Sequence, residues 1–245
     1  MMKVVRKMER NNSSSSGAIE HIEELRKRII LGLSGWIFLS ACAYFFSDSI
    51  LEYLVQPLQK YQDKPFFTRP IEPFMSILKV SVLSGALLNL PNMLFQIWAF
   101  ISPALVTKKE RRSFGIVIWG FPLFFAAGAS FSFYVIVPFG LRFLFSFGRD
   151  IMSPLISIGS YLNFLFVFIV ALGFVFNLPV VASGLASAGM VNASMLRGKR
   201  KYAFLLSFIV AAIITPPDVI SQILVAIPLV LLYEISIIMC SFFKN

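Results

Sequence analysis

Long apolar runs alternate with short polar stretches along this chain, and no run has the period-2 alternation of a β-strand, so a helical membrane protein is predicted. Residues 1–28 are polar and mixed in charge, with a Ser run at Ser13–Ser16 that predicts a flexible tail. The expected division is a flexible Ser-rich extension over 1–18 and a membrane domain over 19–245. Ile29–Phe46 begins too late for a secretory signal and lacks a small-residue cleavage site after it, so it reads as a retained first span. Asp48–Pro73 reads as a loop, with prolines at 57, 65, 70 and 73.

Phe74–Ile101 is the second span; at ~1.5 Å per residue it exceeds a ~30 Å hydrocarbon core, so it tilts, kinks at Pro91 or protrudes. Phe114–Val137 is the third, and Pro138–Ser160 is a loop apolar enough to lie on the membrane surface or pack on its neighbours. The fourth is Tyr161–Leu178, extending past Pro179 toward Leu185. The last apolar region breaks at Thr215-Pro216-Pro217-Asp218, which gives span five as Ala203–Ile214 and span six as Val219–Phe242. Span five is shorter than the ~20 residues a bilayer core requires. Two short final spans in a thinned bilayer are expected; a re-entrant hairpin is the alternative.

Composition agrees with the pattern. Of 245 residues 58% are hydrophobic and 14% charged, and one soluble core could not hide that much apolar surface. Cys42 and Cys240 lie in apolar runs far from any metal-ligand partner, so neither a zinc site nor a redox pair is indicated, and no cofactor is expected. His21 is the lone histidine and cannot complete a Ser-His-Asp triad inside the membrane, and there is no Gly-rich phosphate loop. No enzyme is predicted; the work must draw on another subunit or on the membrane potential.

The net charge of +10 would suggest nucleic acid or anionic lipid until it is resolved by position. Lys3, Arg6, Lys7, Arg10, Arg26, Lys27 and Arg28 precede span one. Lys108, Lys109, Arg111 and Arg112 follow span two, and Arg197, Lys199, Arg200 and Lys201 follow span four. The opposite side holds only Lys60, Lys64, Arg69, Arg142 and Arg149. The positive-inside rule then gives six spans with both termini cytoplasmic, and the basic excess is accounted for by topology and lipid contact without nucleic acid.

Acids among these bases are the candidates for chemistry. Glu20, Glu23 and Glu24 share one helical face beside the membrane, able to receive a basic peptide or simply to flank a lipid-binding juxtamembrane helix. Glu110 stands alone among four bases and could close a capping box with Thr107. Asp218 can cap span six, Gln222 and Asn177 are polar positions on spans, and Glu234 and Lys79 can snorkel to an interface.

Taken in order, these segments resemble the TatC family, the multispanning core of the twin-arginine protein translocase. The opening motif reads His21-Ile22-Glu23-Glu24-Leu25-Arg26-Lys27-Arg28, with Ile where the family has Leu. The loop motif reads Gln96-Ile97-Trp98-Ala99-Phe100-Ile101-Ser102-Pro103-Ala104-Leu105, followed by Glu110-Arg111-Arg112. Thr215-Pro216-Pro217-Asp218-Val219, Gln222, Ala226-Ile227-Pro228 and Tyr233-Glu234 match the last turn and span.

The resemblance implies recognition of folded cargo proteins bearing an Arg-Arg signal peptide, and export driven by the proton-motive force. Glu24 and Glu110 would bind the arginine pair, with Arg26 and Phe100 close by. A guanidinium pair matches carboxylates bidentately and stays charged, which fits that role. Pro57 and Pro70 would belong to a structured first outer loop. Thr215, Asp218 and Gln222 would face single-span TatA/TatB-type subunits, within a larger self-associating complex in the bacterial-type inner membrane. One departure stands out: the family usually has Glu before the proline of span four, and this chain has Asn177, which carries neither charge nor proton. The competing class is a small-molecule or ion secondary transporter, weakened by the absence of an internal repeat and the scarcity of mid-span charges.

Overall fold

The computed structural model describes residues 2–62, 65–101, 108–146, 155–187, 189–215 and 219–242, with side chains over 22–62, 65–100, 115, 117–146, 155–187, 189–215 and 219–242. The described residues are helical apart from turns and one isolated parallel bridge between Phe66 and Ser157. Helix α1 is Met2–Phe45, α2 Ser47–Gln59 and α3 Glu72–Ile101. Helix α4, Lys108–Phe131, runs through a π-helical turn at Ser132–Ile136 into α5, Val137–Leu144. There follow α6 (Ile158–Val175), α7 (Leu178–Ser187), α8 (Ala193–Gly198), α9 (Arg200–Ile214) and α10 (Val219–Phe242).

Among the described residues, five stretches are long and apolar enough to cross a membrane: Ile22–Phe45, Glu72–Phe100, Val117–Leu144, Ile158–Ser187 and Val219–Phe242. Large apolar side chains such as Trp119, Leu123, Phe38 and Ile213 point outward, as lipid-facing positions do. Several expectations change. The helical backbone begins at Met2, so the Ser run lies within it. The expected loop Asp48–Pro73 contains α2, whose Pro57 is buried beside Leu58 and Val55. The third span continues to Leu144 in place of a loop at Pro138. There the π-helical turn changes the hydrogen-bond register just before a residue that has no N–H to donate, and Pro138 enters at the first turn of α5, where none is required. Of the two final helices only α9 is short: it has 15 residues, ~22 Å at 1.5 Å each, whereas α10 has 24.

Helices in lipid gain nothing from hydrophobic exclusion of one another, so close packing decides their pairing. The most extensive contact is between antiparallel α1 and α3. There Gly85 lies directly against the backbone of Ser40, with no room for a Cβ. Helix α4 packs on α6 and α7, and α10 on α7 and α9. The main buried cluster joins α2 to the π-helical turn, α5 and α6 through Leu58, Ile136, Val137, Leu141, Tyr161 and Leu165. Tyr161 also donates its hydroxyl hydrogen bond to the Leu54 carbonyl of α2.

Candidate functional site

At the end of the α1–α3 pair remote from α2, Glu24 and Arg28 sit one turn apart on α1 and form an ion pair, Oε1 to Nη2 at 3.1 Å. Both side chains are about a third exposed, at 34% and 29%. The other guanidinium nitrogen, Nη1, donates to Gln96 Oε1 on α3 at 3.4 Å. Beside this pair lies an apolar cleft of about 240 Å³ between α1 and α3, walled by Leu25, Ile29, Leu33, Met93, Ile97 and Phe100. Arg28 and Gln96 stand on the same cleft and supply its polar part. A partly exposed carboxylate next to such a cleft can pair with a cationic group while apolar residues attached to that group enter the cleft.

Behind the ion pair three amides line one face of α3. Gln96 Nε2 donates to Asn92 Oδ1 at 3.3 Å, Asn92 Nδ2 to Asn89 Oδ1 at 3.0 Å, and Asn89 Nδ2 to the Gly32 carbonyl of α1 at 2.9 Å. Asn89 is fully buried. Gly35 makes this possible, since a Cβ there would come within 2.7 Å of Asn92 Nδ2 and 2.8 Å of Asn89 Oδ1. Sequence reasoning missed the chain of amides, although the spacing of 89, 92 and 96 already puts all three on one helical face.

Of the expected binding residues, Glu24 and Phe100 are brought to one place. Arg26 is exposed, and two positions from Glu24 it projects from a different side of α1. Position 110 lies in the first turn of α4, but the Glu110 side chain is outside the described residues, as are those of Glu20 and His21 and the whole of Thr107. Asp218 and its preceding prolines are outside them as well.

The two described partner-facing candidates, Thr215 and Gln222, are engaged within the chain. Thr215 is buried and donates to the Ala211 carbonyl at 2.8 Å, and Gln222 Nε2 donates to the Phe208 carbonyl at 3.0 Å, tying α10 to α9. Glu234 is paired with Arg200 at 2.6 Å, and Lys79 donates to Asn163 Oδ1 at 2.9 Å. Asn177 is buried at the α6–α7 break ahead of Pro179. Its backbone N–H turns to the Phe174 carbonyl at 3.0 Å, and its Nδ2 takes up the Gly173 carbonyl at 2.8 Å. The side chain thus supplies the donor that a continuous helix would have provided from its backbone. Among the described residues its Oδ1 has no partner.

At the α2 end, Pro57 is buried and Pro70 lies in an exposed turn just before α3. The Ile158 amide donates to the Phe66 carbonyl at 2.9 Å, and Gln62 accepts from the Ile156 amide at 3.0 Å and donates to the Ile156 carbonyl at 3.4 Å. Tyr53 on α2 shares a short hydrogen bond with the Tyr134 hydroxyl, and this bond holds the Tyr53 phenol above its ordinary pKa.

The sequence profile described as Sec-independent protein translocase protein (TatC) matches residues 20–228. The chain belongs to the TatC family. It is 42% identical over 229 residues to the Carboxydothermus hydrogenoformans TatC, covering 92% of this chain and 93% of that one. With the Aquifex aeolicus TatC it shares 37% over 222 residues, 89% of this chain and 92% of the relative. Two crystal structures of a twin-arginine translocase receptor TatC, one in the detergent DDM, superpose with TM-scores of 0.74 and 0.76 at 34% and 35% identity. Each covers 92% of this chain and 100% of the solved one. The chain is therefore a membrane component of the Sec-independent, twin-arginine translocation system, and the secondary-transporter reading is set aside.

Proposed function

We propose that this TatC-family chain is the signal-peptide receptor and core of the translocase. It binds Arg-Arg signal peptides of folded proteins and nucleates an export complex driven by the proton-motive force. The observation that carries the reading is the partly exposed Glu24 carboxylate beside the apolar cleft ending at Phe100. A signal peptide has basic residues followed by an apolar stretch, and carboxylate and cleft complement those two parts in that order. Glu110, with Glu24, would take the second guanidinium, and Arg26 would flank the site.

The topology proposed is six spans, with α9 as the short fifth, and both termini cytoplasmic in a bacterial-type inner membrane; the distribution of bases supports it. Residues 1–18 then form an extension outside the membrane domain of 19–245. Partners are single-span TatA/TatB-type subunits near Thr215, Asp218 and Gln222, anionic lipids along the basic segments, and further copies of the chain. With Asn at position 177, this site contributes polar contact and not proton transfer.

The test is crosslinking of a photoreactive Arg-Arg signal peptide, and of its Lys-Lys variant, to membranes containing the full chain. Labelling by the Arg-Arg peptide alone, lost in Glu24→Ala combined with Glu110→Ala, is expected. Equal labelling by both peptides, or labelling indifferent to the two substitutions, would sink the receptor reading.

A further inference from the structure

The amide chain behind Glu24 has a direction, and that direction has a consequence at the ion pair. It ends on the Gly32 carbonyl, which can only accept, so Asn89 must turn its NH2 toward α1 and its oxygen toward Asn92. Asn92 must then turn its oxygen toward Gln96, and Gln96 its Oε1 toward Arg28. A buried backbone carbonyl thereby fixes an acceptor beside the guanidinium three side chains away. Chains of hydrogen bonds polarised in one sense reinforce one another.

Arg28 is thus held between two acceptors, Glu24 Oε1 at 3.1 Å and Gln96 Oε1 at 3.4 Å. Glu24 Oε2 has no partner among the described residues. An incoming ammonium can pair with Oε2 and leave Arg28 in place. An incoming guanidinium gains its bidentate fork only by engaging Oε1 as well, where it meets the like charge of Arg28 and competes with it for that oxygen.

On the reading of Glu24 as the signal-arginine site, the geometry points to Arg28 as a resident, exchangeable counter-ion: an arriving peptide arginine displaces it from Glu24, and the oriented Gln96 retains it. The ladder of Asn89, Asn92 and Gln96 lowers the cost of that exchange, because the displaced guanidinium keeps one acceptor. It also makes bidentate guanidinium binding, and not ammonium binding, the event that transfers Arg28 from Glu24 to Gln96. Arg28 and Gln96 are positioning residues: they act through Glu24.

The two substitutions that dissect this arrangement have opposite signs. Removing the competitor in Arg28→Gln tightens Arg-Arg peptide binding about fivefold, somewhat less than one fully buried charge-assisted hydrogen bond would give at this partly exposed pair. Removing the fallback acceptor in Gln96→Leu weakens Arg-Arg binding by a similar factor of about five. Lys-Lys binding changes little in Gln96→Leu because it does not displace Arg28. A purely structural role for Gln96 would weaken both peptides alike.

The experiment is equilibrium binding of fluorescent Arg-Arg and Lys-Lys signal peptides to the full chain in lipid nanodiscs. Wild type, Glu24→Gln, Arg28→Gln and Gln96→Leu are compared, with thermal unfolding of each to verify folding. Arg-Arg binding indifferent to Glu24→Gln overturns the site reading itself. Binding lost in Glu24→Gln but unchanged or weakened in folded Arg28→Gln leaves the site standing and overturns the counter-ion. Equal losses for both peptides in Gln96→Leu likewise overturn the exchange, and that arm decides alone if Arg28→Gln does not fold.

Discussion

The Glu72 carboxylate at the start of α3 accepts a hydrogen bond from the backbone amide of Gly159 at 2.8 Å, across 87 residues of sequence. Its other oxygen accepts from the Thr68 amide at 2.8 Å and the Thr68 hydroxyl at 2.9 Å. One acid therefore closes the turn containing Pro70 and anchors it to the first turn of α6, where the helix dipole favours negative charge.

Glu72→Ala is expected to lower the thermal midpoint in detergent and to speed proteolysis within residues 60–73. Glu72→Gln, which keeps one acceptor oxygen, falls between it and wild type. Limited proteolysis followed by mass mapping reads both effects; unchanged cleavage would show that the turn holds without the carboxylate.

Two glycines on the α1–α3 pair should respond oppositely to the same change. A Cβ at Gly85 meets the Ser40 backbone, which cannot yield, so Gly85→Ala costs about 1–3 kcal/mol. A Cβ at Gly32 meets nothing within 4 Å, so Gly32→Ala is neutral or gains up to about 1 kcal/mol from helix propensity. Unfolding of the two variants in mixed micelles compares them directly. Similar destabilisation at both positions would contradict the packing described.

How much of this was legible beforehand depends on whether a feature is local. Apolar runs marked the spans because lipid exposure demands them residue by residue, and the break at Asn177-Leu178-Pro179 was visible from the proline. Prolines also misled. Pro57 and Pro138 read as loop residues, yet each sits in a helix: one buried within α2, the other admitted by a π-helical turn. Partners across the fold were invisible. Glu72 gave no hint of Gly159, and Glu234 looked like a snorkelling acid until Arg200 stood opposite it. Glu24 was singled out from its helical face and its motif, whereas the amides behind it carried only a helical spacing as a signal.

The short α9 makes a prediction about topology. A Cys at Asp218, with Cys42 and Cys240 replaced by Ala, is expected to react with an impermeant thiol reagent added from outside the cell. That outcome follows if α9 and α10 both cross a locally thinned bilayer. Labelling only after the membrane is opened would favour a re-entrant hairpin.

The joint use of Glu24 and the apolar cleft is the centre of the account, and a photoreactive residue at Met93, on the cleft wall, tests it most directly. With an Arg-Arg signal peptide present, the adduct is predicted on the apolar segment following the arginine pair, and it disappears in Glu24→Ala. An adduct that persists without the Glu24 carboxylate, or that forms equally with a Lys-Lys peptide, would contradict it.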